Sequence, residues 1–212
     1  ALWHPHLARF LKALAGAGPA AVGLDIVLPE RSYDAVVAGH DGVLLRALLE
    51  ARRAYPVVLA QTVDPAGAPR SIHRPFLAAA GDGAAGYALL ATDADGVVRR
   101  FDERLGEGGE TVATLAGQLA RRLGTEPGSG LIDYSRGKAF DYIPLQQVLA
   151  WADAGDQAAL ERAFHGRPVL LGVVLPFEDR QRLPVQLASW DGTDAGTPGV
   201  LLHAQVLRGL LD

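Results

Sequence analysis

Pro168–Phe177 reads PVLLGVVLPF, an almost unbroken apolar run with Arg167 before it and Glu178, Asp179 and Arg180 after it. It falls far short of the ~20 residues that cross a membrane, and short continuous runs of this kind mark strands buried on both faces of a parallel sheet. Such a strand demands helices on both sides. The chain then passes through a loop rich in Gly, Asp and Thr to Gly196-Thr197-Pro198-Gly199 and on into VLLHAQVLRGLL. Thr197 can accept a hydrogen bond from a free backbone N–H and Pro198 suits a first helical position, so the pattern predicts a helix that begins at Pro198 under a Thr197 cap. Ligands of open α/β sheets collect beyond the carboxyl ends of strands, which makes the loop after Phe177 the first place to look for a site.

The same signals recur upstream. Leu7, Phe10, Leu11 and Leu14 form one helical stripe that starts near Pro5 and is ended by Gly16 and Gly18. Ala20–Leu28 is a second apolar strand, interrupted by Asp25, whose carboxyl group must be hydrogen-bonded or neutral at low dielectric. After the polar loop Glu30–His40, Asp41 can cap a helix with Leu44, Ala47, Leu48 and Ala51 inward, and Pro56–Gln61 is the next strand. Strand, helix, strand with short joints is the right-handed parallel βαβ unit. Gly81–Gly86 spells GxGxxG, but here the apolar segment Tyr87–Ala91 follows the glycines, so they read as a loop before a strand.

Asp95-Gly96 between Tyr87–Ala91 and Val97–Phe101 predicts a β-hairpin; a calcium loop would put Ala91 and Arg99 at liganding positions, where neither serves. Helices over Glu110–Leu123, from Pro144 and from an Asp156 cap, with a short strand at Leu131–Tyr134, complete the pattern. The expected fold is α/β, a mostly parallel central sheet with an added β-hairpin and helices on both faces, formed by residues 1–212 as one domain.

Composition narrows the function. A net charge of −4 with dispersed arginines offers no basic stripe, so nucleic acid is not an expected partner. The absence of cysteine removes thiolate metal sites, a cysteine nucleophile and disulfides. The amino end, ALWHPHLARF, lacks the basic-then-apolar order of a secretion signal, and a start on Ala is expected of a piece excised from a longer chain.

The stretches LARFLKALAGAGPAAVGLDIVL, DGVLLRALLEARRAYPVVLA, DADGVVRRF, FDYIPLQQVLA, RPVLLGVVLPFEDR and TPGVLLHAQVLRGLL, in that order and covering nearly the whole chain, resemble the CHASE2 family of extracytoplasmic sensor domains. The resemblance implies an input module of a bacterial membrane receptor, held outside the cytoplasm and tethered through flanking segments. In that family it commonly precedes transmembrane helices and a nucleotide cyclase, histidine kinase, diguanylate cyclase or serine/threonine kinase. It also implies a domain that is not itself an enzyme.

Five residues are candidates for binding an unknown small-molecule ligand. Asp25 and Asp179 stand at strand ends and either accept a ligand's hydroxyl or amine groups or tie loops down through backbone N–H bonds. His203 is a ligand contact or a satisfied core histidine. Arg99 is an anion clamp or half of a structural ion pair. Thr197 heads a helix whose free N–H groups could hold an anion. His4 and His6 read as surface residues near the membrane.

No catalytic residue, metal ligand or cofactor is expected. The alternatives are a hydrolase using Asp25, Asp179 and His203, against which stands the lack of GxSxG, HExxH and Walker motifs, and a ligand-free dimerisation module, a homodimer being a possible state.

Overall fold

The computed structural model describes residues 3–191 and 196–212. In chain order the elements are α1 (His4–Ala17), β1 (Ala21–Asp25), α2 (His40–Ala54), β2 (Val57–Val63), β3 (Pro69–Arg70), α3 (Arg74–Ala80), β4 (Ala85–Tyr87) and β5 (Arg100–Phe101). There follow α4 (Leu115–Arg122), β6 (Gly130–Leu131), α5 (Leu145–Asp153), α6 (Gln157–Phe164), β7 (Pro168–Gly172), β8 (Arg180–Gln181), β9 (Thr197–Pro198) and α7 (Gly199–Leu210). The fold is α/β with a mostly parallel sheet.

β1 is the centre of that sheet. It pairs in parallel with β2 through Val22–Leu24 and with β7 along its whole length, which sets Asp25 opposite Gly172. β4 joins β2 in parallel, and β3 pairs antiparallel with the end of β2. Successive strand residues point to opposite faces, and the side chains sort accordingly. Val22, Leu24, Val57 and Leu59 pack with α1, α2 and α3, whereas Ala21, Val58 and Ala60 pack with α4 and α7. Glycines let the second layer approach closely. A Cβ on Gly172 would lie 2.6 Å from the Val200 side chain, and one on Gly23 2.8 Å from Leu119.

The chain works outward from β1 to β2 and β4 and then returns to β7 on the other side of β1. The strand order therefore reverses between the carboxyl ends of β1 and β7, the place where open sheets form a crevice. α1 opens at this same end, since His4 lies against His40 at the start of α2. α7 starts here too and runs toward Ala21 at the amino end of β1.

Three expectations need correction. The apolar run at 168–177 is a strand only over Pro168–Gly172, paired with β1 alone among the described residues, so it lies at the rim and is half-buried rather than sealed on both faces. The run continues into a loop in which Phe177 is 80% exposed, so its apolarity did not mean burial. Asp93–Val97 does close a turn, with Asp93 N–H bonded to Val97 O, yet its arms do not pair with each other: β4 joins β2 and β5 pairs with β6. The hairpin on the sheet is β2–β3. Lastly, α4 starts at Leu115 rather than Glu110. Thr114 caps it by accepting from Gly117 N–H, while the buried Glu103 carboxylate accepts from the Thr114 N–H and hydroxyl.

Candidate functional site

Because β1 alternates, Asp25 shares a face with Ala21 and Gly23 and so points toward α7. Its Oδ2 is buried without a hydrogen-bond partner among the described residues. Burial, and after it the neighbouring charge of Asp179, pushes the Asp25 carboxyl up to about 7.

Asp179 reaches the same place from the loop after β7. Its backbone is left-handed, φ 45°, and its carbonyl accepts the Gly199 N–H at 2.9 Å. The Asp179 carboxylate lies over the first residue of α7, so close that a Cβ on Gly199 would stand 2.2 Å from Oδ2. Gly199 is thus required by the approach of the carboxylate, which faces the positive end of the helix dipole. Gln181 donates to Asp179 Oδ1 at 3.2 Å.

His203 is one turn along α7 from Gly199, fully buried, with Nδ1 unpartnered. Burial holds its imidazole down to about 4 against the opposing pull of Asp179, so it is neutral at pH 7. Asp179 therefore acts electrostatically on both of the others. The neutral imidazole and the Asp25 and Asp179 carboxyl groups together make a set of acceptors suited to hydroxyl or amine donors.

The remaining candidates lie elsewhere. Arg99 is at the exposed turn, bonded to Asp93 at 2.9 Å and to both oxygens of Asp95 at 2.9 and 2.8 Å, which is the structural ion pair and not an anion clamp. Thr197 does not cap α7. With Pro198 it forms β9, paired with β8, and the helix begins at Gly199 without a side-chain cap. Pro198 is extended (φ −55°, ψ 134°), which keeps it out of the helix, and the chain's own Asp179 carboxylate takes the place an anion would fill. Arg180 binds the Asp191 carboxylate at 2.7 Å and the Gly196 carbonyl, fastening the loop that carries Asp179.

A second polar cluster at the same end of the sheet escaped the sequence reading. His4, expected at the surface, is 2% exposed because the stripe of α1 carries it inward. It lies 3.5 Å from Asp41, which also has His73 at 3.9 Å and accepts the Tyr33 N–H. Asp41 sits in the first turn of α2 and is not its cap, which is Gly39. His4, His40 and His73 stand at the heads of α1, α2 and α3, a recurrence the sequence did carry. Among the described residues no group of three or more His, Asp or Glu is arranged to hold a metal ion.

Two surface recesses, of about 390 and 560 Å³, open elsewhere, and neither is lined by Asp25, Asp179 or His203. Asp179 stands exposed on the loop after β7, while Asp25 behind it is only partly accessible.

No curated protein and no solved structure matches the chain. A family model does: the CHASE2 domain model aligns with residues 4–212, from the first residue of α1 to beyond α7. With that extent of match, the chain belongs to the CHASE2 family of extracellular sensory domains.

Proposed function

We propose that residues 1–212 form one signal-input domain of a bacterial membrane receptor, acting outside the cytoplasm through an output such as a cyclase or kinase, and that a small molecule is received at Asp25, Asp179 and His203. The observation that supports this reading is the unsatisfied Asp25 carboxyl at the crossover of the sheet, set against a second carboxylate. A protein that only tied loops together would satisfy that oxygen with a backbone N–H. The ligand offers hydroxyl or amine donors, and its entry displaces the loop carrying Asp179, which shifts a two-state equilibrium passed on through α1 or α7.

Thermal-shift measurements on the folded chain with a panel of polyols and small amines test the reading. A stabilising compound should lose its effect in both Asp25→Asn and Asp179→Asn and keep it in Arg99→Ala. A binder indifferent to both acid substitutions would refute the site. The convergence of two acids and a histidine also serves the hydrolase alternative, and turnover of ester, phosphate or glycoside substrates that disappears in Asp179→Asn would establish it. Ligand-independent pairing in sedimentation, with no thermal shift from any compound, would favour the dimerisation module.

A further inference from the structure

Three helices begin at one buried point. His4 is the first residue of α1, His40 the first of α2, and His73 immediately precedes α3. The His4 ring meets His40 at 4.9 Å, Phe76 at 5.3 Å and Tyr33 at 5.4 Å between centroids. Asp41 is the carboxylate at the centre, already engaged by the Tyr33 N–H, and its own N–H donates to Asp34 at 2.8 Å.

Among the described residues, the groups that act on His4 are His40 and Asp41 from α2, Asp34 from the loop before it and His73 from the approach to α3, with the Tyr33 ring edge-on against it. Nδ1 of His4, 3.5 Å from Asp41 Oδ1, and Nε2 of His40 are buried and make no hydrogen bond among the described residues.

We propose that His4, His40 and His73 form a proton-operated latch on Asp41 that holds the head of α1 in place and lets it go on acidification. One carboxylate at the centre compensates one imidazolium; a second cation buried beside it at His40, and a third at the partly exposed His73, repel it and draw water. The weakest attachment then yields first, the opening turn of α1, whose remaining anchors lie further along the helix. Burial and the neighbouring His40 hold the His4 pKa below the usual histidine value, so the latch stays shut at neutral pH and is stressed only as the pH falls below that range. The loop Ile26–Gly39 leaves Asp25 and ends on this cluster, but the latch stands on its own geometry and does not depend on the ligand site.

Amide hydrogen exchange, corrected for intrinsic rate, reads this directly. Between about pH 8 and about pH 5, protection in the first turn of α1, where Leu7 N–H bonds to Trp3 O, should fall about tenfold or more while Val22 and Leu24 of β1 stay protected. His4→Phe keeps the ring contacts and removes the proton, and should abolish the fall. His40→Gln and His73→Gln should each diminish it, and serve where His4→Phe does not fold; His203→Gln should leave it intact. An unchanged first turn in the wild type, or the same fall in His4→Phe, would overturn the proposal. Protection at low pH by micromolar zinc would overturn it too, in favour of a metal site.

Discussion

Asp41 is buried and Asp25 is half-buried with its Oδ2 sealed from solvent; both stand at the carboxyl end of the sheet, and the chain treats them in opposite ways. Asp41 sits among donors: the Tyr33 N–H reaches its carboxylate, and His4 and His73 stand within ion-pair distance. Asp25 has an unpartnered oxygen and a second carboxylate as its neighbour. The first arrangement is how a protein fastens helix heads together. The second lowers stability at neutral pH, and a fold retains such a group where the unmet acceptor has a use.

The contrast is sharpest in its pH dependence. The folded-state pKa of Asp25 is raised from 3.8 to about 7, so its contribution to stability is complete below 3.8 and is lost as the pH rises through 7. Asp25→Asn removes that loss, and relative to wild type it should gain up to about 4 kcal/mol at alkaline pH and little under acid conditions. Urea unfolding at the two extremes measures the gain, and an Asn variant no more stable in alkali would erase the distinction from Asp41.

Asp41→Ala should go the other way, costing about 3 kcal/mol at neutral pH because it strands the Tyr33 N–H and the histidines around it. A neutral result in the same unfolding assay would show that the cluster fastens nothing.

Gly199→Ala separates the two causes acting on Asp25. The added methyl swings the Asp179 carboxylate away, and the Asp25 titration, followed by carboxyl NMR shifts, should drop only modestly because burial is the larger cause. A return to the ordinary carboxylate range would make the charge of Asp179 dominant instead. The smallest effect belongs to Arg99→Ala: its exposed pairs with Asp93 and Asp95 should contribute no measurable stability, and neither acid cluster should change its titration.

How far these regions were legible in the sequence depends on whether their partners are local. The helical stripe of Leu7, Leu11 and Leu14 and the apolar core of β1 follow from periodicity, and all three leucines are fully buried. Asp25, Asp179 and His203 could be brought together on paper because each lies near the end of a strand or the head of a helix, where topology gathers side chains. The rim position of β7 could not be read, since pairing is chosen by residues far away and an apolar run looks the same at the centre or the edge. Thr197 misled for a similar reason: its partner, Gln181, lies across a long loop. The histidine cluster was hidden because His4, His40 and His73 meet only after three helices stack on one face of the sheet.

The opposed ends of α1 and α7 carry a mechanical consequence. The head of α1 lies at one margin of the sheet and the tail of α7 at the other, so tension between them runs along the strands. β1 and β7, joined through five register pairs, would be loaded in shear, a geometry in which the rungs share the force rather than parting one at a time. A displacement at either end would then move the layers past each other at the seam where Asp25 faces Gly172.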